Sequence, residues 1–330
     1  MKAIAVINGT LRDVDLPEPQ PQGRDLMVKV EAISVNPIDF KQRKAAAHDG
    51  EPHVVGWDVA GTVSAVGPQA SLFKVGDQVY YAGSLVRPGA NSEFHAVDER
   101  IVGRKPASLN VEQAAALPLT SITAWEALFE RLGVSRSGAD EGKSVLIIGG
   151  AGGVGSIAIQ LAKKLAKLNV VATASRPASR EWCTAHGADQ VIDHMGDMPA
   201  QLAALGLPEV DYILCLNDLD LHFAAMATAI APQGKICAIV RNERPLPMDL
   251  LFAKSATMVF ELMFTRSMFG TADMIEQHNL LGEVAALVDA GVLKTTVGES
   301  GGKIDAANLV RAHAALEAGR TIGKIVLSGF

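Results

Sequence analysis

From Val145 to Ser156 the chain reads Val-Leu-Ile-Ile-Gly-Gly-Ala-Gly-Gly-Val-Gly-Ser, and this segment limits the possible folds more than any other. The apolar run ending at Ile148 suits a buried parallel strand, and Ser156–Lys167 has the composition of a helix that opens directly from the glycines. Gly150, Gly152 and Gly155 fit the pattern G-x-G-x-x-G. The first permits a tight turn, the second lets backbone approach a pyrophosphate, and the third lets helix and strand pack closely. Amides at the helix start, those of Gly153 and Val154 among them, would then point at phosphate oxygens, where the helix dipole also favours negative charge. A glycine-rich loop that only turns the chain is the plain alternative. The strand before it and the helix after it favour dinucleotide binding.

The next apolar strand, Asn169–Ser175, ends where a site for NADH carries an acid against the ribose 2′-hydroxyl. Here the residues are Ser175 and Arg176. A hydroxyl and a guanidinium can hydrogen-bond a 2′-phosphate that an acid would repel, so NADPH is the expected cofactor. Arg180 offers a second positive charge, or is an ordinary helix arginine.

The remaining chain is organised around that motif. Its 330 residues suffice for two domains. Residues 1 to about 120 carry short β-rich runs such as 26–35, 61–67 and 78–81, broken by Pro, Gly and Asp turns. From about 121 to 265, candidate strands at 145–148, 170–174, 190–193, 211–216 and 235–240 alternate with helical segments, which predicts a doubly wound parallel sheet. Residues 273–290 and 305–318 read as helices, and 323–328 as a closing strand that rejoins the first domain. Such an insertion would put the substrate in a cleft between the domains.

Composition excludes several roles. Thirty-six acidic and 30 basic residues give a net charge of −6 with no block of like charge, so neither nucleic acid nor an anionic membrane surface is the expected partner. No apolar run approaches the ~20 residues needed to span a bilayer. Cys183, Cys215 and Cys237 are odd in number and widely spaced, which argues against a disulfide framework and for a reducing cytosol.

Several blocks coincide with one family. Val35–Arg43, Gly56–Val63, Val75–Val79, Ala114–Trp125, the glycine turn and Gly323–Leu327 resemble the medium-chain dehydrogenase/reductase superfamily along essentially the whole chain. The resemblance is strongest to its zinc-independent, quinone oxidoreductase-like branch and to proteins called zinc-type alcohol dehydrogenase-like. It implies an α/β chain with a Rossmann doubly wound sheet over 123–265 and a discontinuous, mostly β, GroES-like catalytic domain over 1–122 and 266–330. Zinc members hold metal through a Cys in a Cys-Gly-x-Asp-type segment and a His in Gly-His-Glu. Here those segments read Asn36-Pro37-Ile38-Asp39 and Gly56-Trp57-Asp58, and residues 84–100 contain no Cys. Neither Pro nor Trp can ligate zinc, so no metal is expected.

The resemblance then implies hydride transfer from NADPH to a quinone or to a C=C conjugated with a carbonyl, acceptors that need no Lewis acid. By the same match, Asn36 lies near the nicotinamide and hydrogen-bonds cofactor or substrate oxygen, unless it is a turn asparagine before Pro37. Thr123 faces the cofactor, or is a buried helix threonine. Lys324 offsets phosphate or developing oxyanion charge, or faces solvent. His194 sits beside the adenosine 2′-phosphate where relatives carry an aromatic residue, or is a loop histidine. Asn217 stands at a strand carboxyl end, where ligands gather in such sheets. Tyr80 and Tyr81 are candidate proton donors of which at most one faces a cleft, and Trp57 and Phe40 suit a pocket for a planar acceptor. A homodimer through the cofactor domains is expected. Two other functions stay open: a zinc alcohol dehydrogenase, and an NADPH-binding protein with a structural, sensing or RNA-associated role.

Overall fold

A computed structural model describes residues 1–330, and the chain divides into two compact units, Met1–Ile122 with Met263–Phe330, and Thr123–Leu262. The first unit opens with β1 (Lys2–Ile7), β2 (Thr10–Asp15), β3 (Asp25–Ser34), α1 (Pro37–Ala45), β4 (His53–Val54), β5 (Asp58–Val66), β6 (Gln78–Ala82), β7 (Phe94–Asp98) and β8 (Val102–Arg104). Two short helices follow, α2 (Val111–Ala115) and α3 (Pro118–Trp125), and the division between units falls inside α3. β3 is the hub of this unit. It pairs antiparallel with β5 and β7, and its apolar residues Leu26, Val28, Val30, Ala32 and Ile33 are buried.

The second unit contains β9 (Ser144–Ile148), α4 (Gly153–Lys164), β10 (Asn169–Thr173), α5 (Pro177–His186), β11 (Gln190–Ile192), α6 (Met198–Ala204), β12 (Val210–Cys215), α7 (Leu219–Ala229), β13 (Ile230–Ala238) and β14 (Thr257–Phe260). Its six strands are all parallel, in the order β11-β10-β9-β12-β13-β14. Numbered from β9, that order is 3-2-1-4-5-6, the arrangement of a doubly wound dinucleotide-binding sheet. Leu146, Ile148, Val171, Ile213, Cys215 and Ile236 are packed in one core with Phe223 of α7. Helices cover both faces of such a sheet, which is why its strands read as continuous apolar runs. β14 has no counterpart among the strands expected from sequence, because Thr257–Phe260 is short and half exposed.

After Leu262 the chain supplies α8 (Thr265–Phe269), α9 (Glu276–Asp289), β15 (Val297–Gly302), α10 (Ala306–Glu317) and β16 (Lys324–Ser328) to the first unit. β16 pairs antiparallel with β3, Val326 opposite Ser34, and parallel with β15. The sheet thereby grows to seven strands in the path β15-β16-β3-β5-β6-β8, with β7 beside β3.

The strand order reverses at β9, and the glycine turn leaves its carboxyl end. The positive-φ residue there is Gly149, at +90°, rather than Gly150. Gly150 lacks a side chain for a different reason: a Cβ on it would stand 2.8 Å from Ala172 Cβ and 3.1 Å from Cys183 Sγ. At Gly155 a Cβ would lie 2.5 Å from the carbonyl oxygens of both Gly149 and Gly150, whereas at Gly152 the nearest atom is 3.6 Å away. Gly155→Ala is therefore expected to destabilise the protein by ~2–3 kcal/mol, since backbone must move, and Gly152→Ala by no more than ~1 kcal/mol. Urea denaturation of the two variants measures this, and equal losses would contradict the packing role of Gly155.

Candidate active site

The second unit presents a helix start with unclaimed donors. Gly152 is the N-cap of α4 and brings no capping side chain, so the first-turn amides of Gly153, Val154 and Gly155 have no intrahelical acceptor. Thr173 fixes the turn from β10: its Oγ1 accepts from Gly149 N at 3.0 Å and its carbonyl from Gly150 N at 3.1 Å. Ser156 Oγ donates to Gly152 O at 2.7 Å and accepts from Trp182 Nε1 of α5 at 2.8 Å. These bonds hold the amides in place for an anion.

At the end of β10, Ser175 and Arg176 are exposed, Arg176 as the N-cap of α5. Arg180 is committed elsewhere. Its guanidinium donates to Ala174 O at 3.1 Å and to Val191 O, bracing the ends of β10 and β11 instead of offering a second phosphate contact. His194 follows β11, and its ring meets that of His222 edge-on at a centroid distance of 5.9 Å. His194 Nδ1, His222 Nε2 and Asn217 Oδ1 are buried atoms with no hydrogen-bond partner. Burial depresses the basicity of both imidazoles. His222 was not a candidate from sequence, since a lone histidine in a helix carries no signal; it comes beside His194 because α7 starts after the carboxyl end of β12, the same end of the parallel sheet at which His194 leaves β11.

In the first unit Asn36 and Lys324 are brought together, around an acid that sequence reasoning did not single out. Asp58 is fully buried. Its Oδ1 accepts from Leu119 N at 2.7 Å, and its Oδ2 from Asn36 Nδ2 at 2.8 Å and Lys324 Nζ at 3.1 Å. Lys324 Nζ also donates to Val35 O at 2.9 Å and to Asn36 Oδ1. All three ammonium protons are thus used internally, so Lys324, 3% exposed, has no donor left for a phosphate or an oxyanion. The expected charge-offsetting role gives way to a positioning one. Asn36 is similarly narrowed. Both of its amide hydrogens are spent, on Asp58 and on Ser34 O at 3.3 Å, which leaves Asn36 able to accept a bond through Oδ1 but not to donate one to a substrate oxygen.

Beside this cluster Asp39, also buried, accepts from Asn36 N at 2.9 Å through Oδ2, while Oδ1 has no partner. Burial raises its pKa to about 7. Thr123 is buried in α3. The two tyrosines are both occupied: Tyr80 OH donates to Leu281 O at 2.7 Å, and Tyr81 OH pairs with His95 Nδ1 at 3.0 Å. Burial holds both phenols above their usual pKa. Neither is a proton donor in this arrangement. Phe40 is half-buried under Lys44, whose Nζ lies 5.4 Å from the ring centroid.

Residues 22–107 match the alcohol dehydrogenase GroES-like domain, and residues 186–327 match the zinc-binding dehydrogenase family. A zinc-type alcohol dehydrogenase-like protein of Staphylococcus aureus (strain MSSA476) is 42% identical over 94% of this chain and 92% of its own. The chain belongs to the medium-chain dehydrogenase/reductase superfamily, in its quinone oxidoreductase-like branch. A chloroplast envelope quinone oxidoreductase homolog of Arabidopsis thaliana is 30% identical over 85% of this chain and 86% of its own. The mycobacterial protein Rv1454c, solved as its complex with NADPH, superposes with a TM-score of 0.84 at 30% identity, covering 99% of both chains.

As a member of this superfamily, the protein is an oxidoreductase with a nicotinamide cofactor. The word zinc in its relatives' names does not fit its residues. Trp57 is buried, donates through Nε1 to Ser84 O at 3.1 Å and packs edge-on against Phe264. Pro37 occupies the first turn of α1, and no group of three or more His, Cys, Asp or Glu side chains is placed to hold a metal ion.

The internal ion pair makes a stability prediction. Lys324→Met leaves Asp58 buried without its counter-ion and is expected to cost ~3–5 kcal/mol. A solvent-facing lysine would cost no more than ~0.5 kcal/mol. Denaturant unfolding at neutral pH distinguishes the two.

Proposed function

We propose that this protein is an NADPH-dependent reductase that delivers hydride to quinones or to C=C bonds conjugated with a carbonyl, without zinc. The observation that carries the cofactor choice is the exposed pair Ser175-Arg176 at the end of β10, where an NADH site would carry an acid. The NADPH complex of Rv1454c supports it. When bound, the cofactor supplies the hydride. The glycine turn and the first-turn amides of Gly153, Val154 and Gly155 would hold its pyrophosphate, Arg176 and Ser175 its 2′-phosphate, and Asn217, His194 and His222 its adenosine half through their unpaired polar atoms.

The first unit supports the acceptor class. Pro37 and Trp57 stand where a zinc dehydrogenase has ligands, so no Lewis acid is provided for by these side chains to polarise a simple alcohol or ketone. A quinone or enone is electrophilic already. Asn36, fixed by Asp58 and Lys324, would accept a hydrogen bond from the cofactor's carboxamide through Oδ1. The quinone oxidoreductase homolog supports this acceptor class.

We also propose a homodimer formed through the second unit. β14 is the edge strand of its sheet and has a half-exposed Phe260, with Phe252 of the preceding segment 86% exposed. An open apolar edge of this kind invites a second copy. Three free, buried thiols suit the reducing cytosol.

Arg176→Ala should weaken NADPH binding by roughly 1.5–3 kcal/mol, about ten- to a hundredfold, and leave NADH nearly unchanged. Titration of both cofactors by fluorescence tests this, and equal losses would sink the 2′-phosphate assignment. Steady NADPH oxidation is expected with 9,10-phenanthrenequinone or a simple enone. Stoichiometric zinc in the purified protein, with activity lost on chelation, would instead favour the alcohol dehydrogenase reading.

A further inference from the structure

The cluster around Asn36 contains two carboxylates, Asp39 and Asp58, but one cation, Lys324. Asp58 is fully paired: its two oxygens accept from an ammonium, a side-chain amide and a backbone amide. Lys324 has no proton left for Asp39, because its three are given to Val35, Asn36 and Asp58. Asp39 receives a single neutral hydrogen bond, from Asn36 N to Oδ2, and its Oδ1 is buried with no partner at all. An ionised Asp39 would be an uncompensated buried charge, which proteins avoid by neutralising the group. A hydrogen on Oδ1 removes the charge and keeps the bond to Oδ2. No donor of the protein is bound to Oδ1.

We propose that Asp39 is the proton store of the reduction: its carboxyl is neutral in the resting protein, and the hydrogen on Oδ1 is the proton that follows hydride to the acceptor. This rests on the reductase reading above. Reduction of a quinone or enone consumes one hydride and one proton. The hydride adds to the acceptor with its electron pair, leaving a phenolate or enolate anion. The O–H bond of Asp39 then breaks, its proton forms the new O–H or C–H bond of the product, and the carboxylate left behind recovers a proton from solvent. The aspartate stands three residues after Asn36, on the same first turn of α1.

The surroundings agree with a neutral acid near physiological pH. Burial is the main cause of the rise to about 7, and Asp58 of β5 adds to it; the Asn36 amide and Lys324 of β16 pull the other way. On α10, which packs on α1, His313 is buried and kept neutral with its pKa near 4, and Glu317 is engaged by Arg43 and Lys44 of α1.

The test uses Asp39→Asn, which keeps a carbonyl acceptor for Asn36 N but has no acidic proton. In the unliganded protein, infrared difference spectra across a pH titration should show a carboxylic-acid carbonyl band that disappears around neutral pH in the wild type and is absent from the variant. Stability gives a second readout independent of turnover. Native Asp39 binds its proton up to about 7 and the unfolded chain only to 3.8, so the wild type should lose stability as pH rises through that window, relative to Asp39→Asn, and level off above it. With NADPH and an enone, the variant should bind cofactor as the wild type does, while kcat falls roughly 10²-fold and loses its dependence on pH near neutrality. A missing infrared band, or a variant whose kcat and pH profile match the wild type, overturns the proposal. A wild type that reduces no quinone or enone overturns the reductase reading and the transfer together, while the infrared band still decides whether Asp39 holds the proton.

Discussion

The first unit depends on a buried carboxylate. Asp58 joins the start of α1 through Asn36, the start of α3 through Leu119 N, and the start of β16 through Lys324, partners 22, 61 and 266 residues away in sequence. Burying a carboxylate and an ammonium costs several kcal/mol of desolvation for each ion, and their attraction offsets that only when the other lone pairs and protons are also satisfied. Here they are. The cluster therefore contributes position more than net stability: it fixes where Asn36 presents its remaining lone pair, and it leaves the Oδ1 of Asp39 unmet.

The second unit solves a different problem, placing backbone near phosphate without side chains in between. Its glycines divide the work by location. Gly149 accommodates the left-handed backbone, Gly150 and Gly155 allow β9, β10 and α4 to approach, and Gly152 leaves open space before the helix start. The sheet order reverses at β9, so the turn opens at the point where a ligand can reach the carboxyl ends of strands on both sides.

Much of this was readable in the sequence because local patterns carried it. The apolar runs 145–148 and 170–174 became β9 and β10 within a residue, and the closing strand expected over 323–328 became β16. What could not be read depended on long-range neighbours. Lys324 looked like a donor for ligand charge because nothing in its local sequence reveals that Val35, Asn36 and Asp58 surround its ammonium. Asp39 and Asp58 were in view within recognised blocks, yet their importance lies in a charge count, two acids to one base, that exists only after folding. His222 pairs with His194 across 28 residues with no periodic signal to connect them. β14 was missed because an edge strand with exposed Phe260 lacks the buried pattern that marks its neighbours.

On the proposed reading, the two sides of the cofactor site recognise by different physics. Burial favours the neutral forms of His194 and His222, so the imidazoles can accept or donate a hydrogen bond but contribute little charge near neutral pH. Arg180 has given its guanidinium to two backbone carbonyls. Charge recognition of a 2′-phosphate then falls on Arg176, which is exposed at the start of α5 with the amides of that helix behind it. An exposed charge is screened over a Debye length of about 8 Å at physiological salt, whereas buried hydrogen bonds are not. Preference for NADPH over NADH should therefore weaken as ionic strength rises, while affinity for the part common to both cofactors, held by the glycine turn and the buried polar atoms, changes much less.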